Sequence, residues 1–348
     1  MNNTRELPHR PLGNTGLSMS ILGFGGVQVG DYFVRMTEET ARAAISQAWN
    51  EGIRYFDTSP KYGTGLSEHR IGAGLRGYSR DDFVLSTKVG RRLEPAPELD
   101  RDPEHRGLPY RLVTDFGYDA TMRVIEGSLN RLGLSRIDIA YMHDLEPGTF
   151  GDEYPGIFRQ AVDGCYRALD ELRGQGVIRG IGGGMNAAEA SVSLMRAVDL
   201  DCLMFAGRYT LLEQQTLDDV MALALEKNVG IVIGAPFNTG VLATGVVPDA
   251  RYNNKPLKPE LRARVHRIEK ICARHDVALP AAAMQFPLAH PATVSVVCGI
   301  ANADEATRNR DLIMRSIPGD FWAQMREEGL IRPDAPTPAG QAFGAFPG

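Results

Sequence analysis

The alternation of strand-like and helix-like segments is the feature that most constrains how this chain of 348 residues can fold. Short apolar runs typical of buried strands recur eight times, and amphipathic helical patterns separate them. Eight β/α units within about 300 residues is the number found in a (β/α)8 TIM barrel, an α/β fold. The expected strands lie near residues 21, 53, 83, 138, 178, 202, 230 and 294.

The alternative α/β arrangement is a doubly wound sheet, which usually carries a GxGxxG turn after its first strand. The glycine cluster at 180–184 comes too late in the chain to be that turn. We therefore predict one barrel domain over residues 1–348, with an N-terminal β-hairpin that turns at Asn14-Thr15-Gly16. An extra helix is expected over 318–329, followed by an extended tail at 331–348.

Composition is typical of a soluble globular protein. Hydrophobic residues make up 43% of the chain and charged residues 23%, and the formal net charge of −5 offers no basic surface for nucleic acid. No apolar run approaches the roughly 18 residues of a membrane span, and the N-terminus lacks a signal-peptide core. Four scattered cysteines without CxxC spacing indicate reduced thiols. We expect a cytoplasmic protein without a metal site, and the oligomeric state stays open.

Four polar residues lie at or near the ends of three successive strands, where the active sites of parallel α/β folds form. Asp57 ends the second strand and Tyr62 follows in the loop, while Lys88 lies in the third strand and His143 ends the fourth. Each alone has a structural explanation, since an isolated lysine usually reaches solvent and an isolated histidine usually fills a core position. Four such residues at one end of a barrel favour a catalytic site.

These four side chains can move a proton on and off an alcohol or carbonyl oxygen. A phenol such as that of Tyr62 has a pKa of about 10, and a buried ammonium at Lys88 is expected to lower it. Asp57 would keep Lys88 charged, and His143 would orient a substrate oxygen beside the Tyr62 hydroxyl. The set contains no obvious nucleophile and no metal cage.

With these residues the chain resembles the aldo-keto reductases, which are (β/α)8 barrels that transfer a hydride between a nicotinamide cofactor and a carbonyl or alcohol. The most specific match is Gly-Ile-Arg-Tyr-Phe-Asp-Thr-Ser-Pro-Lys-Tyr-Gly at 52–63, together with Glu68. The resemblance covers roughly residues 10–315 and maps the family's catalytic tetrad onto the four residues just described. It also implies that the N-terminal hairpin plugs the barrel.

The resemblance further implies a cofactor site. Of the family's serine–asparagine pair after strand five only Asn186 is kept, and Tyr209 is expected to stack on the nicotinamide. The lysine and arginine that bind a 2′-phosphate in NADPH-using members fall on Gly299 and Glu305. A carboxylate repels phosphate but accepts a hydrogen bond from a ribose hydroxyl, so NAD is expected and NADP is the alternative. The other expected cofactor contacts are Ala235, Phe237, Asn238, Gly240, Leu242 and Asn309.

Within the family the chain is similar to the aldose 1-dehydrogenase branch. Gly-Phe-Gly-Gly at 23–26, the pair His143-Asp144, and Gly-Arg-Tyr-Thr-Leu-Leu at 207–212 carry this likeness. It implies a small-molecule substrate, an aldose such as L-fucose, L-galactose or D-arabinose, whose C1 hydroxyl is oxidised to the lactone. The expected substrate contacts are Asp144, Tyr118, Arg91 and Phe237.

Three alternatives remain open at this point. The same tetrad would serve an NADPH-dependent aldehyde or ketone reductase, in which Tyr62 donates the proton, or a pyridoxal 4-dehydrogenase. A non-catalytic subunit that only binds cofactor is less favoured, because the tetrad is complete. Two long loops, at about 91–116 and 144–155, are also expected, and whether they close over substrate stays open.

Overall fold

The structure is a computed structural model that describes residues 5–32, 35–96, 107–253 and 255–338. The strands are β1 (His9–Leu12), β2 (Leu17–Ser20), β3 (Leu22–Gly25), β4 (Tyr55–Asp57), β5 (Val84–Val89), β6 (Arg91–Pro95), β7 (Tyr110–Thr114), β8 (Ile139–His143), β9 (Gly180–Met185), β10 (Cys202–Ala206), β11 (Gly230–Gly234), β12 (Arg251–Tyr252), β13 (Lys255–Pro256) and β14 (Thr293–Gly299). The helices are α1 (Glu38–Asn50), α2 (Leu66–Leu75), α3 (Tyr118–Leu132), α4 (Pro147–Phe150), α5 (Tyr154–Gln160), α6 (Arg167–Gly174), α7 (Ala188–Ala197), α8 (Val220–Glu226), α9 (Val241–Thr244), α10 (Pro259–Arg274), α11 (Leu279–Leu288), α12 (Ala303–Met314) and α13 (Gly319–Glu327).

Eight of these strands close into a parallel barrel. Their order around it is β3, β4, β5, β8, β9, β10, β11 and β14, so neighbours in the sheet are also successive barrel strands in the chain. Helices between successive strands pack their apolar faces on the outside of the sheet. This arrangement confirms the predicted (β/α)8 barrel and all eight predicted strands.

The N-terminal hairpin lies against the amino-terminal end of the barrel, as expected of a plug. Strands β1 and β2 pair antiparallel, and Leu12 and Met19 are fully buried. They belong to one apolar cluster with Val84, Ile139 and Val294, which lie at or next to the beginnings of three barrel strands. The hairpin therefore closes the end of the barrel opposite the expected site.

Helix α1 shows how local sequence sets the boundaries of an element. The Thr37 hydroxyl accepts a hydrogen bond from the backbone N–H of Thr40, and Glu38 and Glu39 lie in the first turn, where the helix dipole favours negative charge. Gly52 follows the helix with φ of 85°, and a Cβ there would lie 1.9 Å from the carbonyl oxygen of Arg5. Only glycine fits this turn into strand β4.

Two tyrosines fill the barrel interior below the expected site. The Tyr55 hydroxyl lies 3.2 Å from that of Tyr141 and 3.0 Å from Ser86 Oγ, and both rings are fully buried. Glycines make room for these rings, because a Cβ on Gly182 would lie 2.5 Å from the Tyr141 ring and one on Gly23 would lie 2.7 Å from the Tyr55 ring. The glycine-rich strand β9 thus serves the packing of the barrel interior.

The two long loops contain more regular structure than the sequence indicated. Within 91–116, strands β6 and β7 form an antiparallel ribbon, with Glu94 paired to Arg92 and to Arg111 on the opposite strand. Residues 97–106 of this loop lie outside the described ranges. In the second loop α4 is followed directly by a 3-10 turn and by α5, so the helix expected to begin at Phe158 starts at Tyr154.

The prediction of a helix over Leu212–Lys227 is wrong for the first half of that range. A 3-10 turn at Gln215–Leu217 precedes α8, which begins only at Val220. The reason is local, since the Thr210 hydroxyl accepts hydrogen bonds from the backbone N–H groups of Leu212 and Glu213. Such bonds compete with helix formation.

The expected extra helix is present as α13, and the first residues after it pack on the barrel. Ile331 and Ala335 are each 1% exposed, and the backbone N–H of Arg332 donates to Gln214. The rest of the expected tail, 339–348, lies outside the described ranges. Across the parts of the chain that the structure describes, no helix combines the length and the apolar character needed to cross a membrane.

We expect Gly182→Ala to lower the free energy of unfolding by about 1–3 kcal/mol, because its methyl group would press on the Tyr141 ring in a closed interior. Urea unfolding at equilibrium measures this change. Gly156→Ala is the matched control, since a Cβ on this exposed residue of α5 meets nothing within 4 Å. Equal stability of Gly182→Ala and the wild type would contradict the packing described for Tyr141.

Candidate active site

A buried ion pair at the carboxyl ends of β4 and β5 forms the base of the site. Lys88 Nζ lies 2.6 Å from Asp57 Oδ2 and donates a second hydrogen bond to the Thr58 carbonyl at 2.9 Å. The side chains of Lys88 and Asp57 are only 2% and 4% exposed. Ser86 donates to the other carboxylate oxygen at 2.7 Å. With so little solvent, each charge depends on the other for its stabilisation.

Tyr62 and His143 lie directly beside this pair. The Tyr62 ring centre is 4.7 Å from Lys88 Nζ, and the Tyr62 and His143 rings meet edge to face with centroids 6.0 Å apart. His143 is 6% exposed, whereas Tyr62 is partly open to solvent. The structure therefore brings the four predicted catalytic residues together at the carboxyl end of the barrel.

The expected lowering of the Tyr62 pKa by Lys88 is not found. Burial raises the pKa of Tyr62 well above its ordinary value of 10.0, and the nearby Asp57 and Asp144 carboxylates raise it further. The physical reason is that the Lys88 ammonium is already paired with Asp57, so little net positive charge acts on the phenol. Tyr62 is thus held as the neutral phenol.

His143 is a neutral imidazole with a partner at each ring nitrogen. Ser59 Oγ lies 3.3 Å from Nδ1, and Asp144 Oδ2 lies 3.7 Å from Nε2. Burial lowers the pKa of His143 to about 3, because desolvation outweighs the attraction of the Asp144 carboxylate. The ring can therefore donate one N–H to a ligand near neutral pH without carrying a charge.

A second charged group, formed by Lys61, Asp144 and Arg91, borders His143. Lys61 Nζ lies 2.9 Å from Asp144 Oδ2, and Asp144 has a left-handed φ of 50°. Burial alone would raise the pKa of Asp144, but His143, Lys61 and Arg91 lower it below its usual range. The group presents one anionic acceptor between cationic donors, and it includes Asp144 and Arg91, two of the expected substrate contacts.

Arg91 also borders an aromatic surface, in which the Phe150 ring is partly exposed and the Phe116 ring is fully buried. Its guanidinium carbon lies 5.1 Å from the ring centre of Phe150 and 5.9 Å from that of Phe116. Tyr118, another expected substrate contact, lies away from Arg91 and this aromatic surface. Its hydroxyl donates to Glu171 at 2.5 Å in the outer helical layer. Tyr118 begins α3 and its side chain reaches the neighbouring helix α6, so the structure does not support its predicted contact with substrate.

Asn186, the expected ligand of the cofactor carboxamide, is fixed by a residue that the sequence did not reveal. Glu146 accepts hydrogen bonds from the backbone N–H groups of Asn186 and Ala187 at 2.7 and 2.9 Å, and from Asn186 Nδ2 at 3.3 Å. Arg208 donates to the Asn186 carbonyl at 2.7 Å. With Nδ2 held by Glu146, the Asn186 amide offers its oxygen as an acceptor.

Two expected cofactor residues, Tyr209 and Leu242, are buried in the core. Tyr209 is 0% exposed, and its ring packs on Phe286 and His290 with centroids 5.2 and 5.6 Å away. Leu242 is also 0% exposed, and its backbone N–H donates to the Phe237 carbonyl at 3.0 Å. The structure therefore does not support the stacking role predicted for Tyr209, and Leu242 offers neither its side chain nor its amide.

The loop after β11 fits a nucleotide better than Tyr209 and Leu242 do. Ala235, Asn238, Thr239 and Gly240 all have left-handed φ values, which curves the backbone tightly. Asn238 Nδ2 donates to the Gly207 carbonyl at 2.9 Å, whereas Asn238 Oδ1 is buried and has no hydrogen-bond partner among the described residues. A Cβ on Gly240 would meet nothing within 4 Å. A buried acceptor beside open backbone suits a ligand rich in hydroxyl donors.

The end of β14 and the start of α12 complete this edge of the barrel. Asn302 Oδ1 accepts from the backbone N–H of Glu305 at 2.9 Å and caps α12, and Glu305 Oε2 accepts from that of Ala301, the residue before the N-cap, at 2.8 Å. The Gln28 side chain lies over Gly299, where its Oε1 would be 2.2 Å from a Cβ. A side chain at position 299 would therefore require the end of the Gln28 side chain to move.

The remaining expected cofactor residues differ in exposure. Asn309 lies on α12 and is 4% exposed, whereas Phe237 is partly exposed and Ala235 is exposed. Gln28 Oε1 is a second buried acceptor for which the described ranges contain no partner. Both acceptors, Gln28 Oε1 and Asn238 Oδ1, lie at the rim formed by β10, β11, β14 and β3. This rim fits a nicotinamide dinucleotide.

Comparison with known proteins agrees with this geometry. The family model described as the aldo/keto reductase family matches residues 21–328. The chain is 41% identical to D-threo-aldose 1-dehydrogenase of a Pseudomonas species, over 93% of this chain and 97% of that protein. It is 37% identical to pyridoxal 4-dehydrogenase of Microbacterium luteolum, over 92% and 97%. An aldo-keto reductase structure from Bacillus halodurans in its holo form shares the fold, with a TM-score of 0.74, 23% identity, and coverage of 94% and 97%.

The low pKa of His143 predicts a specific loss of stability in acid. Its unfolded form takes up a proton near pH 6.5 and its folded form only near pH 3, so stability from this group is lost as the pH falls below about 6.5. The loss amounts to about 2 kcal/mol between pH 7 and pH 5. We expect His143→Gln to remove this part of the acid sensitivity, measured as the difference in unfolding free energy between the two pH values. An unchanged difference would contradict a neutral, buried His143.

Proposed function

Because the chain belongs to the aldo/keto reductase family and is an NAD(P)-dependent oxidoreductase, we propose that it oxidises the C1 hydroxyl of an aldose to the lactone with NAD. The observation that carries this proposal is the catalytic tetrad next to the charged group of Lys61, Asp144 and Arg91. The tetrad provides the proton chemistry of an alcohol oxidation. The charged group provides donors and an acceptor for the other hydroxyls of a sugar.

In the proposed reaction Tyr62 takes the proton of the C1 hydroxyl as the C1 hydride leaves. His143 Nε2 donates to the reacting oxygen, and Tyr62 accepts the proton as the phenolate, which forms from the neutral phenol as the pH rises. The Lys88 ammonium, 4.7 Å from the phenol ring centre and paired with Asp57, is the cation beside that phenolate. The oxidised nicotinamide, when bound, supplies the hydride acceptor. Because the pKa of Tyr62 is raised, oxidation is favoured at alkaline pH, where the phenol loses its proton more readily.

The residues proposed to hold the cofactor follow strands β9, β11 and β14. Asn186 would bind the carboxamide and Asn309 the adenine. The backbone of the 235–240 loop would face the diphosphate, with Asn238 Oδ1 accepting from an adjacent ribose hydroxyl. The preference for NAD is supported by the Glu305 carboxylate, which lies at the N-terminus of α12. It accepts a hydrogen bond from the Ala301 N–H, a donor that would otherwise be available to a phosphate.

The Lys61–Asp144 pair favours a polyol substrate. Neighbouring hydroxyls of a sugar can accept from Lys61 or Arg91 and donate to Asp144. Lys61 and Asp144 are held in place by their mutual contact at 2.9 Å. The name of the Pseudomonas relative, D-threo-aldose 1-dehydrogenase, agrees with this assignment. L-Fucose, L-galactose and D-arabinose are the aldoses that we propose to test first.

Pyridoxal oxidation is the second candidate, and the partly exposed Phe150 ring beside Arg91 favours it. A pyridine ring would pack on Phe150 while its ring substituents reach Arg91. The Microbacterium relative is named a pyridoxal 4-dehydrogenase. The two candidates differ in whether the charged group or the aromatic surface provides most of the substrate contact.

We further propose a cytoplasmic location. The four cysteines are free and buried, and burial raises the pKa of each thiol to about 12 or above. Thiols of this kind persist in a reducing compartment without forming disulfides.

The proposal is tested by following reduction of NAD and of NADP with the three aldoses and pyridoxal at neutral to alkaline pH. We expect turnover of an aldose with NAD to exceed that of pyridoxal. Turnover of pyridoxal alone would favour the second candidate. If instead an aldehyde is consumed only in the presence of NADPH and no sugar is oxidised, the enzyme works as a reductase, in the direction opposite to the one proposed.

Tyr62→Phe should lower kcat by a factor of about 10²–10⁴, because it removes the hydroxyl that exchanges the proton. The Kd for NADH, measured by fluorescence titration, should stay within about twofold of the wild type. Tyr78→Phe is the matched control, since this tyrosine stacks on Trp49, outside the site, with ring centroids 3.7 Å apart. Retention of more than a few per cent of kcat in Tyr62→Phe would rule out this residue as the acid–base.

Glu305→Gln should raise the affinity for NADP relative to NAD by about fivefold, because one charge near the 2′ position is worth about 1 kcal/mol. Glutamine can still accept from the Ala301 N–H, so the cap of α12 is kept. Glu305→Arg should shift the ratio further in the same direction. The two Kd values from calorimetric titration give the ratio, and an unchanged ratio in both variants would contradict the placement of the ribose at Glu305.

A further inference from the structure

The surroundings of His143 assign a role to a residue of the Asp57–Tyr62 loop outside the tetrad. We infer that Ser59 is a positioning residue that keeps His143 in the tautomer with its proton on Nε2, directed toward the substrate oxygen. The inference deepens the proposed function, on which it rests only for the identity of that oxygen. The tautomer itself follows from the hydrogen bonds around the ring.

The hydrogen-bond geometry of Ser59 determines which way its hydroxyl points. Ser59 is fully buried, and its Oγ has two neighbours, the backbone N–H of Lys61 at 3.1 Å and His143 Nδ1 at 3.3 Å. A backbone N–H can only donate, so Ser59 Oγ accepts from Lys61. The hydroxyl proton then needs an acceptor, and His143 Nδ1 is the one that the described residues provide. Since Nδ1 accepts, it carries no hydrogen.

The other ring nitrogen has a matching environment. Nε2 lies 3.7 Å from the Asp144 carboxylate, which Lys61 Nζ holds at 2.9 Å. A negative charge on this side favours a hydrogen on Nε2 and disfavours a lone pair there. Lys61 acts at both nitrogens, because its backbone N–H orients Ser59 and its ammonium orients Asp144. A three-residue segment, 59–61, therefore sets the environment of both ring nitrogens of His143.

This tautomer has a direct chemical consequence. In the Nε2–H form the ring donates to the oxygen at C1 and keeps it beside the Tyr62 hydroxyl. In the Nδ1–H form a lone pair of Nε2 would face a lone pair of that oxygen and push it away. Because the ring stays neutral near physiological pH, protonation does not provide a second hydrogen that would compensate for the wrong tautomer.

The first test is a ¹⁵N–¹H correlation spectrum of the ligand-free full chain with ¹⁵N-labelled histidine at pH 7. The chain has seven histidines, and the spectrum of His143→Gln identifies the resonances of His143. We expect a hydrogen-bearing Nε2 and a hydrogen-free Nδ1. A hydrogen-bearing Nδ1 would overturn the inference. Since no substrate is needed, this result is independent of whether the proposed aldose oxidation is correct.

The second test removes the hydroxyl. Ser59→Ala should make the Nδ1–H form measurable in the same spectrum and lower kcat by about twofold to tenfold, as expected for one hydrogen bond, with the Kd for NADH unchanged. Ser295→Ala is the matched control, because this buried serine donates to the Ser20 carbonyl at 2.8 Å within the barrel wall. It should leave the tautomer and kcat at their wild-type values. A wild-type tautomer in Ser59→Ala would overturn the inference whatever the change in kcat.

Discussion

The rest of the site depends on the buried ion pair of Asp57 and Lys88. Neither charge is stable alone in a place with so little solvent, and removal of one partner from a buried pair typically costs about 3–5 kcal/mol. The pair is supported from below by Ser86 and by the hydrogen-bonded tyrosines Tyr55 and Tyr141. The barrel interior and the chemistry above it are therefore one continuous hydrogen-bonded structure.

The sequence predicted the fold well because the barrel rests on local patterns. Buried parallel strands are short and apolar, the helices between them are amphipathic, and both periods can be read without knowledge of tertiary contacts. The grouping of Asp57, Lys88 and His143 was predictable for a related reason. All parallel strands of a barrel end on the same side, so polar residues near those ends come together whatever the details of packing.

The predictions that the structure does not support depend on the direction of side chains and on charges far away in the sequence. Tyr209 follows a barrel strand as expected, but its ring turns outward to Phe286, which no local pattern indicates. The raised pKa of Tyr62 follows from its burial and from the nearby Asp57 and Asp144 carboxylates, surroundings that only the folded chain provides. Glu146 gave no signal in the sequence because its partners are backbone N–H groups 40 and 41 residues away.

The loop after β8 has a mechanical consequence. Asp144 faces the proposed substrate position, and Glu146, two residues later, holds the backbone that carries Asn186 at the proposed cofactor position. The Glu146 N–H also donates to the Asp144 carbonyl at 2.9 Å, so the two side chains extend from one closed turn. The two side chains therefore keep a fixed relative position, and a substitution that shifts this turn would displace the proposed substrate contact and the proposed cofactor contact together.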